Sequence, residues 1–141
     1  MPELAYLYSI SQPIMLESDY PYLGEESSTG CGYVKGQGKV NAQGFQSVAS
    51  ENPFQLQFAV LLGPVSTGID AASLEFQLYQ SGIFTDAVAC GTDLNHAISV
   101  VGFDATGDTP YYIVKNSWGA GWGEDGFVKM AITGGVGMCG I

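Results

Sequence analysis

Residues 114–127 read VKNSWGAGWGEDGF. They follow YYIV, a run of β-branched and aromatic residues that reads as a strand. Four glycines and two tryptophans fall in these fourteen residues. The glycines mark turn geometry, but two Trp in one turn call for something to cover. Asn116 stands directly before them, at the end of the strand.

Upstream, LNHAISVVGFD (94–104) reads as another strand, and Ala105-Thr106-Gly107-Asp108 carries a hairpin turn signal. GFVKMAI (126–132) forms a third strand. A hairpin joining the first two brings His96, the only histidine, beside Asn116, 20 residues later (116 − 96 = 20). A histidine acting as a base must be held in one tautomer and one direction, and an amide oxygen accepting its ring N–H does this. Trp118 is placed to roof that contact and keep water out. By itself a lone strand histidine is ordinarily a packed residue, and an Asn beside a turn is ordinarily a cap; the surrounding residues decide between the readings.

Further toward the N-terminus, Asn52 and Pro53 make an N-cap and first helical residue. They open a helix over 50–62 whose Phe54, Phe58, Leu61 and Leu62 recur at helical spacing, and Gly63-Pro64 ends it. Val65 to Ile69 is an extended run. Ser73 to Gln80 reads as a short helical turn pairing Leu74 with Leu78. Residues 39–48 alternate enough for a strand around Val40 and Phe45. Residues 3–10 read as the end of a helix with Leu4, Ala5 and Tyr8 on one face, and 11–38 as a turn-rich loop. Tyr20, Pro21 and Tyr22 read as packing residues, and Glu124 and Asp125 as a solvated turn.

Composition narrows the function. In 141 residues, 14 acids face 4 lysines, giving a net charge of −10. Four scattered lysines make no basic stripe, which excludes a nucleic-acid binder and disfavours an anionic membrane surface. No run of about 18 apolar residues suggests a span, and the first ten residues lack the charged start and cleavage site of a signal peptide. One histidine and no C-x-x-C pair leave no metal site; no metal or other cofactor is expected. The three cysteines, Cys31, Cys90 and Cys139, allow at most one internal bridge.

Taken together, LESDYPYLG (16–24), GPVSTGID (63–70), FQLYQSGIF (76–84), LNHAISVVGF (94–103), YYIVKNSWGAGWGEDGF (111–127) and GMCGI (137–141) resemble, in order and nearly end to end, the papain-like cysteine peptidases. The resemblance implies an incomplete papain-like α+β fold. It would consist mainly of the antiparallel, barrel-like β domain with one packed helix and a helix remnant at the N-terminus. Residues 1–38 would be that remnant and an interdomain loop, and 39–141 the β-rich domain. It implies peptide-bond hydrolysis by a Cys-His-Asn mechanism, with His96 catalytic and Asn116 orienting it. Trp118 would shield their contact and line the leaving-group side. Gly68 and Ala97 would line the pocket for the side chain preceding the scissile residue, Gly68 leaving room for bulk. Cys90 and Cys139 would be joined across the β domain. Peptide or protein substrates, and a lysosomal, vacuolar or secreted setting, are implied in the same way.

The family's nucleophile, a Cys in a Cys-Gly-Ser-Cys-Trp stretch about 130–150 residues before the His, has no counterpart here. Cys31 lies 65 residues before His96 (96 − 31 = 65), between two glycines and with no Trp beside it. It matches a disulfide cysteine whose partner lies in the absent half. The oxyanion-hole Gln is also missing. The chain is therefore expected to be the later part of a peptidase, inactive alone, whose first half is its missing partner. Two other readings are a non-catalytic binding or scaffold module and a fragment without function.

Overall fold

The computed structural model describes residues 2–85 and 90–141. Two compact units divide the chain, Met1–Gln46 and Ser47–Ile141.

The first unit carries helix α1 (Pro2–Ser11). The strand expected over 39–48 does not form. Val40 makes a single antiparallel bridge with Ile14, and the ladder stops there, leaving Val40 and Phe45 exposed. Alternation gives a strand its two faces but not a partner, and without a partner the backbone groups go to water. Phe45 instead stacks on Tyr6, with ring centroids 5.9 Å apart. Tyr20, Pro21 and Tyr22 are all exposed rather than packed, though Tyr20 accepts the Gly32 N–H at 3.0 Å.

In the second unit, α2 (Pro53–Leu62) begins where Asn52 caps it, its side chain accepting the Gln55 N–H at 2.9 Å. β1 (Val65–Ile69), the one-turn α3 (Leu74–Gln77), β2 (Ile83–Phe84), β3 (His96–Asp104), β4 (Tyr111–Lys115) and β5 (Phe127–Ala131) follow. The strands form one sheet in the order β1-β3-β4-β5-β2, antiparallel except for β2 against β5. This is an α+β architecture. The register aligns Val65, Val100, Val114 and Val128 across four strands, and the last three are fully buried. Stacking β-branched residues directly opposite one another is what specifies such a register. The Asp104 carboxylate closes the hairpin by accepting the Thr106 N–H at 2.8 Å. A register shift between Val100 and Gly102 lets β3 bend.

α2 packs on the sheet through Leu56 and Val60, and the Tyr112 hydroxyl donates to its Pro53 carbonyl at 3.2 Å. Phe54, Phe58, Leu61 and Leu62 are exposed. The helix carries two apolar stripes, and the one with the more conspicuous spacing faces outward. The same reversal holds for α3, where Leu74 and Leu78 are exposed and Phe76 is fully buried. A disulfide joins Cys90 to Cys139, 49 residues apart; closing a loop of that size stabilises the fold by about 4 kcal/mol in the chain-entropy account.

Candidate active site

β3 begins at His96, and β4 ends at Lys115, one residue before Asn116. Ser99 pairs with Lys115 at the last rung. Run on past that rung, the register points residues 116–118 at residues 96–98. The His96 Nε2 lies 2.8 Å from the Asn116 Oδ1, and Asn116 is buried. Its backbone N–H donates to the Gly126 carbonyl at 3.0 Å, which anchors it to the turn.

The tautomer follows from a neighbouring bond. The Ser117 backbone N–H, which can only donate, lies 2.8 Å from the same Asn116 Oδ1. That atom is therefore the amide oxygen, and His96 Nε2 must donate to it. The lone pair of the neutral ring sits on Nδ1, which is then the basic nitrogen. The Asn116 Nδ2 is buried without a hydrogen-bond partner among the described residues.

The Trp118 ring lies tilted against that of His96, centroids 5.0 Å apart. Trp118 is itself supported. Phe76 lies edge-on to Trp118 at 5.7 Å and tilted against Trp122 at 5.2 Å, and the Trp122 indole N–H donates to the Gln77 carbonyl at 2.9 Å. The turn that carries both Trp requires glycine at two places. A Cβ on Gly123, at φ +57°, would stand 2.5 Å from the Phe127 carbonyl oxygen, and one on Gly126, at φ +90°, 3.2 Å from that of Gly119. Glu124 is not the solvated turn residue its sequence suggests. Its carboxylate accepts the Gly82 N–H at 2.8 Å and pairs with Lys129 at 2.7 Å. The Lys129 ammonium, then the Gly82 N–H, hold its carboxyl below the usual range.

Gly68 and Ala97 are direct partners on adjacent strands. A methyl on Gly68 would sit 3.4 Å from the Leu94 Cδ1, so Leu94 takes up part of the room that a glycine leaves. Nothing in the local sequence marked Leu94 for this place. Nor does the local sequence mark Asp70. It is buried beside the residues that lead into His96 and accepts hydrogen bonds from Ala72, Asn95 and Asp93. Of the cysteines, Cys90 and Cys139 are oxidised to each other and Cys31 is free and exposed, so the Ser47–Ile141 unit contains no free thiol. No group of His, Cys, Asp and Glu among the described residues has the arrangement of a metal site, and no helix among them is long and apolar enough to cross a membrane.

The family model for papain family cysteine protease matches residues 1–141. The chain belongs to the papain family. It is 43% identical over 130 residues to cysteine protease 1 of Oryza sativa subsp. japonica, covering 89% of this chain and 26% of that protein. It is 42% identical over 127 residues to zingipain-2 of Zingiber officinale, covering 89% of this chain and 56% of the relative. Among solved structures, a cysteine protease of Carica candamarcensis superposes with a TM-score of 0.83 at 35% identity, covering all of this chain and 64% of the other. The proform of a ragweed pollen cysteine protease gives 0.85 at 33% identity, covering 99% of this chain and 42% of the other. The chain thus spans between a quarter and somewhat over half of the length of these curated relatives.

Proposed function

We propose that this chain carries the acid–base half of a cysteine peptidase that hydrolyses peptide or protein substrates. In this reading His96 is the catalytic base and acid, Asn116 orients it, and Trp118 shields their contact. Gly68 and Ala97 contribute to the pocket for the residue before the scissile bond. The observation that carries it is the 2.8 Å hydrogen bond from His96 Nε2 to Asn116 Oδ1, which leaves Nδ1 as the proton acceptor. A thiolate paired with the imidazolium attacks the carbonyl, the amine leaves with a proton from His96, and water then hydrolyses the acyl-enzyme with His96 as base. The thiol comes from a part of the peptidase domain outside these residues, which agrees with the share of the relatives that the chain spans. Cys31 is read as a disulfide cysteine for that part. The Cys90–Cys139 bridge suits an oxidising setting, in keeping with a lysosomal, vacuolar or secreted peptidase.

The test begins with the transcript upstream of the Met1 codon, expected to encode a Gln followed by Cys-Gly-Ser-Cys-Trp. The complete product should cleave a peptide substrate, and His96→Ala should lower kcat/KM by about 10²–10⁴-fold, the usual worth of a general acid–base group. Ser or Gly in place of the Cys would sink this reading. The absence of a free thiol from the Ser47–Ile141 unit favours a second one, a peptide-binding module without turnover. Peptide binding by the complete product with no hydrolysis would select it.

A further inference from the structure

We propose that Asp70 is a positioning residue for His96, acting through the side chain of Asn95; the assignment rests on the reading of His96 given above. β1 ends at Ile69, whose rung partner is His96. One residue further out, the Asn95 N–H donates to the Ile69 carbonyl at 3.0 Å. Beyond that point the chains separate, and the side chain of Asn95 continues the ladder in place of backbone. Its Oδ1 accepts the Ala71 N–H at 2.9 Å, and its Nδ2 donates to the Asp70 Oδ1 at 2.8 Å. The Ala71 N–H can only donate, so the amide nitrogen has to face the carboxylate.

Asp70 is the fixed point of this arrangement. It is only 8% exposed, and its own N–H donates to the Cys139 carbonyl at 2.8 Å, next to the disulfide. Its Oδ1 also accepts the Ala72 N–H at 3.1 Å, and its Oδ2 accepts the Asp93 N–H at 3.3 Å. Gly91 approaches so closely that a Cβ there would lie 2.5 Å from the Oδ2. One carboxylate therefore gathers Gly91, Asp93 and Asn95, the segment that delivers His96 to the start of β3. A buried carboxylate is costly unless donors surround it, and hydrogen bonds to an ionised acceptor are about twice as strong as neutral ones. Asn116 sets the direction of the imidazole; Asp70 and Asn95 set where the residue bearing it begins. Both are needed for a base, because small displacements of a catalytic group cost large factors in rate.

Because His96 is the only histidine, its ring N–H signal reports on the site without ambiguity. Solvent exchange of that Nε2 proton is measured by ¹⁵N NMR in the 141-residue chain and in its Asp70→Asn, Asn95→Ala and doubly substituted forms. Asp70→Asn keeps the shape but replaces one acceptor oxygen with an amide donor that faces an N–H. Each single substitution is expected to speed ring exchange about tenfold, the factor for losing one hydrogen bond to a charged group. The double variant should be no faster than the faster single, since both break the same Asn95–Asp70 link. Backbone exchange at Val100, Val114 and Val128 should stay unchanged. Ring exchange within twofold of the unsubstituted chain in both singles overturns the proposal. So do effects that multiply in the double variant, or equal acceleration of the three sheet amides, which would mark a purely structural role. If Asp70→Asn fails to fold, Asn95→Ala alone decides by the same criteria. No turnover enters the measurement, so a chain found to lack hydrolytic activity in its complete form leaves the result standing.

Discussion

Replacing Phe76 by Ala tests whether the fold and the site share one support. Phe76 is fully buried, and its ring meets Phe84 at 5.9 Å, Trp118 at 5.7 Å and Trp122 at 5.2 Å. Truncating a buried Phe to Ala costs about 3–5 kcal/mol. Three aromatic neighbours, each worth about 0.5–1.5 kcal/mol beyond area alone, place this site toward the upper end, about 4–5 kcal/mol. A unit the size of Ser47–Ile141 has a total stability of about 5–14 kcal/mol. The variant should therefore melt at least about 15 °C lower, given about 4–8 °C per kcal/mol for domains of this size. Phe76→Leu, which keeps most of the volume but no ring, should lose roughly half as much. The second readout is local. Trp118 and Trp122 are the only tryptophans, so native-state emission should shift to the red and quench more readily as their packing loosens. Urea melts followed by fluorescence and by far-ultraviolet circular dichroism supply both numbers. A loss under about 1 kcal/mol with unchanged Trp emission would refute the claim that Phe76 supports Trp118 and Trp122.

Three further outcomes are expected. Thiol titration of the denatured, unreduced chain should find one free thiol, Cys31, and reduction should release two more while lowering stability by about 4 kcal/mol; three free thiols in native material would remove the bridge. Asn52→Ala should cost about 1 kcal/mol in a thermal melt, the worth of the capped Gln55 N–H, and no change would show the cap to be idle. The Ala72 N–H, then the Asn95 amide and the Asp93 N–H, hold the Asp70 carboxyl below the usual range against the opposing effect of burial. A carboxyl depressed in the folded state adds stability above its unfolded value, and that stability is lost as pH falls through the folded value. The stability difference between the chain and Asp70→Asn should therefore be flat above about pH 5 and shrink below about pH 4; a difference that grows on acidification would contradict the hydrogen-bonding reported for Asp70.

Short-range chemistry made part of this protein legible. The Asn52 cap and Pro53 start a helix because both act within one turn of themselves. Tyr111–Lys115 is a strand because β-branched and aromatic residues fit a pleated, half-buried surface. His96 and Asn116 could be matched across a hairpin because a short turn fixes the register of the strands it joins. Other features depend on partners distant in sequence. Two apolar stripes ran along α2, and only the sheet selected Leu56 and Val60 over Phe54 and Phe58; periodicity gives the angle between stripes but not which one is covered. Asp70 reads as an ordinary acid after a strand, and its meaning depends on Asn95, 25 residues away, folding back over it. Phe76 sits in a short run whose leucines are the more obvious apolar pair, yet the fold turns those outward and sets Phe76 beneath Trp118. The sequence by itself determined the local elements and the residues able to do chemistry, because those depend on neighbours along the chain. Which surface each element buries, and that the Asp70 carboxylate meets Asn95, only the tertiary structure decided, because burial is a contest among all apolar surfaces at once.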